Sequence, residues 1–127
     1  MAFTIEPIAE PLTDETVCDI NAFENALMLE LDPGSVPMPA SMTRAYATLH
    51  DPTDIVDSYL ARDDNGRVVG TAWMSAPKSD NPHLAFTRLG VDASARRNGV
   101  ATSVLGKYGA FCAANERTTM LLGAGGR

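Results

Sequence analysis

Cysteine is scarce in this 127-residue chain, where Cys18 and Cys112 are the only two. Their separation matches no metal-ligand spacing, which argues against a cysteine-bound metal. Cys112 lies in an apolar helical stretch, where a free thiol packs as a small hydrophobe. A core residue is therefore expected there rather than a disulfide partner. Basic residues are also few: 10 lysines and arginines stand against 16 acidic residues, a formal net charge of −6. That balance disfavours nucleic acid or an anionic membrane as the main partner and mildly favours cationic substrates such as amines. No apolar stretch approaches the roughly 20 residues that cross a bilayer. The opening MAFTIEPIAEP lacks a cationic segment leading into an apolar run, so a secretion signal is not expected and the cytoplasm is the expected compartment. Repeats, low-complexity tracts and long charge runs are missing too.

What is present is the composition of an ordinary globular chain, 45% hydrophobic and 20% charged, long enough to bury a core as one domain over 1–127. Phe3 to Pro7 reads as a short strand, limited by Pro7 and Pro11. Thr13 is placed to cap a helix with Asp14 and Glu15 in its first turn. Val17, Ile20, Phe23, Leu27 and Leu31 then form one helical face, and Asp32-Pro33-Gly34 ends it. Met42, Ala45, Tyr46 and Leu49 repeat the spacing up to His50-Asp51-Pro52. Beyond that point, Ile55 to Ala61 and Val68 to Ser75 read as strands around the turn signal DDNG. Leu84 to Val91 is the next strand, Val100, Val104, Tyr108 and Phe111 mark a helix, and Thr118 to Leu122 is a final strand. The expected fold is mixed α/β (α+β), with helices on both faces of the sheet. An antiparallel meander leads into a parallel strand–helix–strand unit, which should cross over with right-handed topology.

The strand at 84–91 breaks its own alternation. Leu84 and Phe86 are apolar at even positions, Leu89 and Val91 at odd ones. A β-bulge near Thr87-Arg88 would return them to one face. A strand buried on both faces would also show this pattern, and alternation by itself does not separate the two.

After the strand comes ARRNGVA, residues 95–101. A helix start leaves backbone N–H groups without partners and carries partial positive charge. Following a strand, with Gly99 allowing close approach and Arg96 and Arg97 adding charge, it suits an anion such as a phosphate. A solvated surface turn before an ordinary helix accounts for these residues equally well.

The longer string LGVDASARRNGVATSVL resembles motif A of the GCN5-related N-acetyltransferases, the GNAT family. That motif is a strand end, a polar turn and Arg/Gln-x-x-Gly-x-Gly/Ala opening a helix, filled here by Arg96, Gly99 and Ala101. The order of elements is also similar to the family's, up to its fifth strand. The resemblance implies that acetyl-CoA is the co-substrate. Its pyrophosphate would lie on Arg96, Arg97, Asn98, Gly99, Val100 and Ala101, with Thr102 offering a hydroxyl. Its pantetheine arm would run beside Leu89, Gly90 and Val91, and a strand-end N–H would polarise the thioester carbonyl. Bulging of this strand is likewise a family feature, so the resemblance favours the bulge. The acceptor implied is a small-molecule or peptide amine, with no role for metal.

An amine is protonated at neutral pH, so direct attack on a thioester needs a base. The 84–91 strand supplies no carboxylate. His83 stands at its start and reads as a solvent-exposed histidine. Glu6, Glu24 and Glu30 are equal alternatives, and no catalytic residue is assigned. The family continues past its fifth strand with a helix and two strands, which carry an Asn and a Tyr toward the cofactor. Here the sequence ends at TTMLLGAGGR, with GAGGR read either as a tail or as a loop to be continued. Tyr108 lies in the wrong element to replace that Tyr. The expectation is an incomplete GNAT-like domain, accompanied by a second GNAT-like domain or a second copy. The alternative is a non-catalytic module or the degenerate half of a tandem protein.

Overall fold

The computed structural model describes residues 2–49 and 51–124. Its elements are β1 (Phe3–Pro7), α1 (Asp14–Leu31), α2 (Ala40–Thr48), β2 (Asp54–Asp63), β3 (Val68–Pro77), β4 (Leu84–Val91), a 3-10 turn (Ala93–Ala95), α3 (Val100–Ala114) and β5 (Thr119–Ala124). The five strands form one sheet in chain order, β1-β2-β3-β4-β5. β1 to β4 pair antiparallel, and β5 joins β4 in parallel. This is the expected meander followed by a strand–helix–strand unit. His50 and residues 125–127, which complete GAGGR, lie outside the described residues.

Local chemistry explains the boundaries. The Thr16 N–H donates to Thr13 Oγ1 at 3.1 Å, so the predicted cap of α1 is formed. Past its end, Asp32 Oδ1 accepts from the Gly34 N–H at 3.0 Å, turning the chain away. In DDNG, Gly66 takes φ +80°, and Asp63 and Arg67 exchange the closing contacts, with the Asp63 N–H on the Arg67 carbonyl at 2.9 Å.

Each face of the sheet is covered. On one, Ala61, Val69, Ala72, Met74, Ala85 and Leu89 meet Val100, Val104, Tyr108, Phe111 and Cys112 of α3. Cys112 is therefore the buried free thiol expected, and Cys18 is exposed and also free. The Tyr108 hydroxyl donates to the Leu121 carbonyl at 2.9 Å, tying α3 to the edge strand β5. Burial, then the neighbouring Cys112, pushes that phenol up to about 12, so it stays a donor. On the other face, Ile20, Phe23 and Leu27 of α1 close over Leu60 and Val68. Leu60 is 1% exposed at the centre of that cluster. Leu60→Ala is expected to cost about 2–5 kcal/mol, the usual loss for a buried leucine. Urea unfolding should show this as a lower midpoint at unchanged slope; a loss under about 1 kcal/mol would mean the cluster refills the gap.

Helix α2 forms where the spacing predicts it, but its large apolar residues are not its anchor: Met42, Tyr46 and the adjoining Leu49 are 46%, 67% and 76% exposed. Its buried residue is Thr43, held by Asn21 Nδ2 at 3.0 Å. Asn21 and Asn25 also donate to the Met38 carbonyl, at 2.7 and 3.0 Å. A polar clamp, not an apolar stripe, fixes α2 to α1. One expectation is corrected, in β4. Gly70 to Ser75 pair residue for residue with Val91 to Phe86, so β4 has no bulge at Thr87-Arg88. The broken alternation arises because small residues fill the core face. Ala85, Thr87 and Leu89 are buried while Phe86 and Arg88 point to the opposite side. The irregularity lies one strand away, where Ala61 faces Gly70 but Arg62 faces Val68, leaving Val69 as the extra residue.

Candidate functional site

The turn after β4 is built by its own side chains. Asp92 Oδ2 accepts from the Ser94 N–H at 3.1 Å, from the Ser94 hydroxyl and from Arg67 Nη2 at 3.2 Å. Burial raises the Asp92 carboxyl, but these donors outweigh it and hold the group below the usual carboxylate range. Asp92 thus starts the 3-10 turn, an element the sequence pattern did not disclose. Arg97 and Gly99 then take positive φ, +67° and +84°, which swings the chain into α3.

Gly99 is the N-cap of α3 and no side chain caps it. The first N–H groups of the helix therefore face outward with no acceptor from the helix itself. A Cβ at Gly99 would meet nothing within 4 Å, so an approaching ligand finds open space. Val100 is buried at 1% exposure and offers this surface only its amide. Ala101 is half-buried against the α3 core, and Thr102 is exposed. Asn98 donates from Nδ2 to the Arg96 carbonyl at 3.2 Å, bracing the turn. Arg97 is exposed. Arg96 departs from the simple picture. Its guanidinium forks onto Glu30 at the end of α1, with contacts of 2.5 and 3.2 Å, and Nε donates to the Val91 carbonyl at 3.3 Å.

The end of β4 adjoins this turn. The Asp92 N–H donates to the Val69 carbonyl at 2.8 Å, toward β3. Alternation along an extended strand then directs the Gly90 peptide groups toward β3 and those of Leu89 and Val91 to the opposite edge. β5 runs along that edge, pairing as far as Leu89 with Ala124. A Cβ on Gly90 would lie 2.8 Å from Leu27 Cδ2, so glycine lets α1 sit directly on the strand end. Leu89, Gly90, Val91 and the turn residues 96–102 are therefore brought together, with the Arg96 side chain directed to α1.

On the α1 face of the sheet lies a cleft of about 890 Å³. Its floor is a grid of cross-strand neighbours, Val56, Ser75 and Phe86 in one row and Ser58, Trp73 and Arg88 in the next. Glu24 and Met28 of α1 and Tyr46 of α2 wall it. This cleft separates the glutamates that the sequence left equal. Glu6 is paired with Arg62 at 2.9 Å, Glu30 with Arg96, and Glu24 alone lines the cleft. Glu24 Oε1 accepts from Trp73 Nε1 at 3.3 Å and stands 3.8 Å from the Arg88 guanidinium. His83 is exposed, and its carbonyl receives the Thr118 and Thr119 amides at 2.9 Å.

Trp73, Tyr46 and Phe86, which line the cleft, belong to no functional motif in the sequence. The available signal was that Val56 and Ser58, and Trp73 and Ser75, hold one parity on two strands joined by a hairpin. Among the described residues, no cluster of His, Cys, Asp or Glu is arranged to hold a metal ion. No helix among them is long and apolar enough to cross a membrane.

Comparisons with known proteins fit this geometry. The model of the acetyltransferase (GNAT) family matches residues 22–122. Among solved structures, a tandem GNAT protein from the clavulanic acid biosynthesis pathway superposes with TM-score 0.76 at 25% identity, over 94% of this chain and 35% of that one. This chain thus spans about a third of that protein's length. An N-acetyltransferase from Staphylococcus aureus Mu50 gives 0.71 at 20% identity, over 96% of this chain and 73% of that one. A GNAT-family acetyltransferase from Streptococcus pneumoniae gives 0.70 at 18% identity, over 95% and 73%. No curated protein matches. With the element order, the Gly99 turn and the family model all in agreement, the chain belongs to the GNAT acetyltransferase family.

Proposed function

We propose that the chain binds acetyl-CoA at the turn between β4 and α3 and transfers the acetyl group to an amine held in the cleft. The observation that carries this reading is the uncapped start of α3 at Gly99, open to an approaching anion in a chain of this family. The amides of Gly99, Val100, Ala101 and Thr102 would hold the pyrophosphate, aided by the exposed Arg97. Leu89 and Val91 would offer peptide groups to the pantetheine arm. When bound, acetyl-CoA supplies the acyl group as a thioester, whose transfer to a neutral amine forms a C–N bond, breaks the C–S bond and releases the thiol.

What the chain itself contributes is binding, orientation and a proton acceptor. Trp73 and Arg88 fix the Glu24 carboxylate at the cleft, where Glu24 Oε2 can take the ammonium proton before attack. The test is calorimetric titration with CoA alongside an acetyl-transfer assay on an amine panel. Binding with transfer supports the reading, and a chain inert to CoA removes it.

The match to about a third of a tandem GNAT protein favours one second reading, a half that binds but does not catalyse, next to a second GNAT-like domain. CoA binding with no transfer to any amine would select it.

A further inference from the structure

We propose that the cleft selects a small molecule with two or more positive charges, a diamine or polyamine. Its role as the acceptor site rests on the acetyl-transfer reading above. Among the described residues, four lining carboxylates, Glu10, Glu24, Asp51 and Asp54, face a single lining cation, Arg88. Arg88 already has Glu24 beside it. Among the described residues, Glu10, Asp51 and Asp54 form no ion pair. The Thr53 N–H and hydroxyl bond Asp51 and hold its carboxyl below the usual range, so it stays ionised at neutral pH.

A concave surface of one charge sign, backed by apolar walls, concentrates its field on whatever enters. Trp73, Phe86 and Tyr46 line the same cleft, and their ring faces attract cations as well.

The chemistry of acyl transfer then sets a condition. The attacking nitrogen must be neutral, yet attraction to these carboxylates requires positive charge. A monoamine loses its attraction when it becomes reactive. In a diamine, one nitrogen stays ammonium near Asp51 and Asp54 while the other gives up its proton. The surplus of unpaired carboxylates beyond the single Glu24 is what this division of labour requires.

Trp73 is the only tryptophan in the chain, so its fluorescence reports on the cleft without any catalytic turnover. Spermidine and n-hexylamine titrated at matched ionic strength should differ in affinity by at least about tenfold in favour of spermidine. Added salt should narrow the gap. A double variant, E10Q and D54N, should weaken spermidine by roughly tenfold and leave hexylamine unchanged. Should the E10Q and D54N pair fail to fold by circular dichroism, D54N alone serves, with a smaller loss of the same sign. Equal affinity for the two amines, or spermidine binding indifferent to these substitutions, overturns the proposal. CoA is titrated into the same sample. CoA binding without charge-selective amine binding removes this assignment alone. Selective amine binding without CoA binding keeps the cleft's preference and removes the acetyl-transfer reading.

Discussion

Gly99→Glu is expected to weaken CoA binding by at least about a hundredfold, to the limit of calorimetric detection. Two effects combine. Gly99 holds φ +84° and ψ 6° as the N-cap of α3, a conformation that costs a non-glycine residue roughly 1–2 kcal/mol. The larger effect is electrostatic. A glutamate there places a carboxylate over the same amides that would receive a diphosphate, satisfying them from within and repelling the ligand. Gly99→Ala separates the two. A Cβ at this position meets nothing, so alanine should lower stability by about 1 kcal/mol through backbone strain and leave most CoA affinity intact. Equal CoA affinity in the wild type and the glutamate variant would remove the turn from the binding site.

Glu24→Gln should lower acetyl transfer at neutral pH by about 10²–10⁴-fold, the range for loss of a general base, with CoA affinity unchanged. Glutamine keeps an oxygen to accept from Trp73 Nε1 and nearly the same shape, so the cleft should hold its form. The deficit should shrink as the pH approaches the acceptor amine's own pKa, about 10 for an alkylamine, because the amine then arrives neutral. A variant that keeps the full rate, or a deficit constant across pH, would exclude Glu24 as the proton acceptor.

Much of this molecule was legible because its strongest signals are local. Thr13 with Asp14 and Glu15, the DDNG turn, and the 3.6-residue spacing of Val100, Val104, Tyr108 and Phe111 each act over a few residues, and each element formed as read. Where reading failed, residue size misled it. Phe86 and Met42 are large and apolar yet exposed, whereas Ala85, Thr87 and Thr43 are small or polar and buried. The broken alternation of β4 therefore reflects residue size, and the bulge that the family resemblance favoured there is absent, the register shift lying between β2 and β3. The turn over 95–101 was legible as a continuous string. The cleft was not, because its floor joins Ser58, Trp73 and Arg88, which become neighbours only through strand register. The choice among Glu6, Glu24 and Glu30 likewise waited on tertiary contacts: all three accept from a side chain brought close by folding, and only one of them does so at the cleft.

The fork between Arg96 and Glu30 changes what an anion would gain at the turn. With Glu30 and the Val91 carbonyl already accepting from Arg96, a phosphate recruiting this guanidinium exchanges one ion pair for another. The net free energy is the difference between two similar contacts, both partly exposed, and such differences are small. Affinity for the anion then falls chiefly to the fixed backbone amides, whose dipoles need no rearrangement. Ionic strength should accordingly perturb cofactor affinity less than the two adjacent arginines alone imply, while the carboxylate displaced from Arg96 is left at the foot of the helix that carries Glu24.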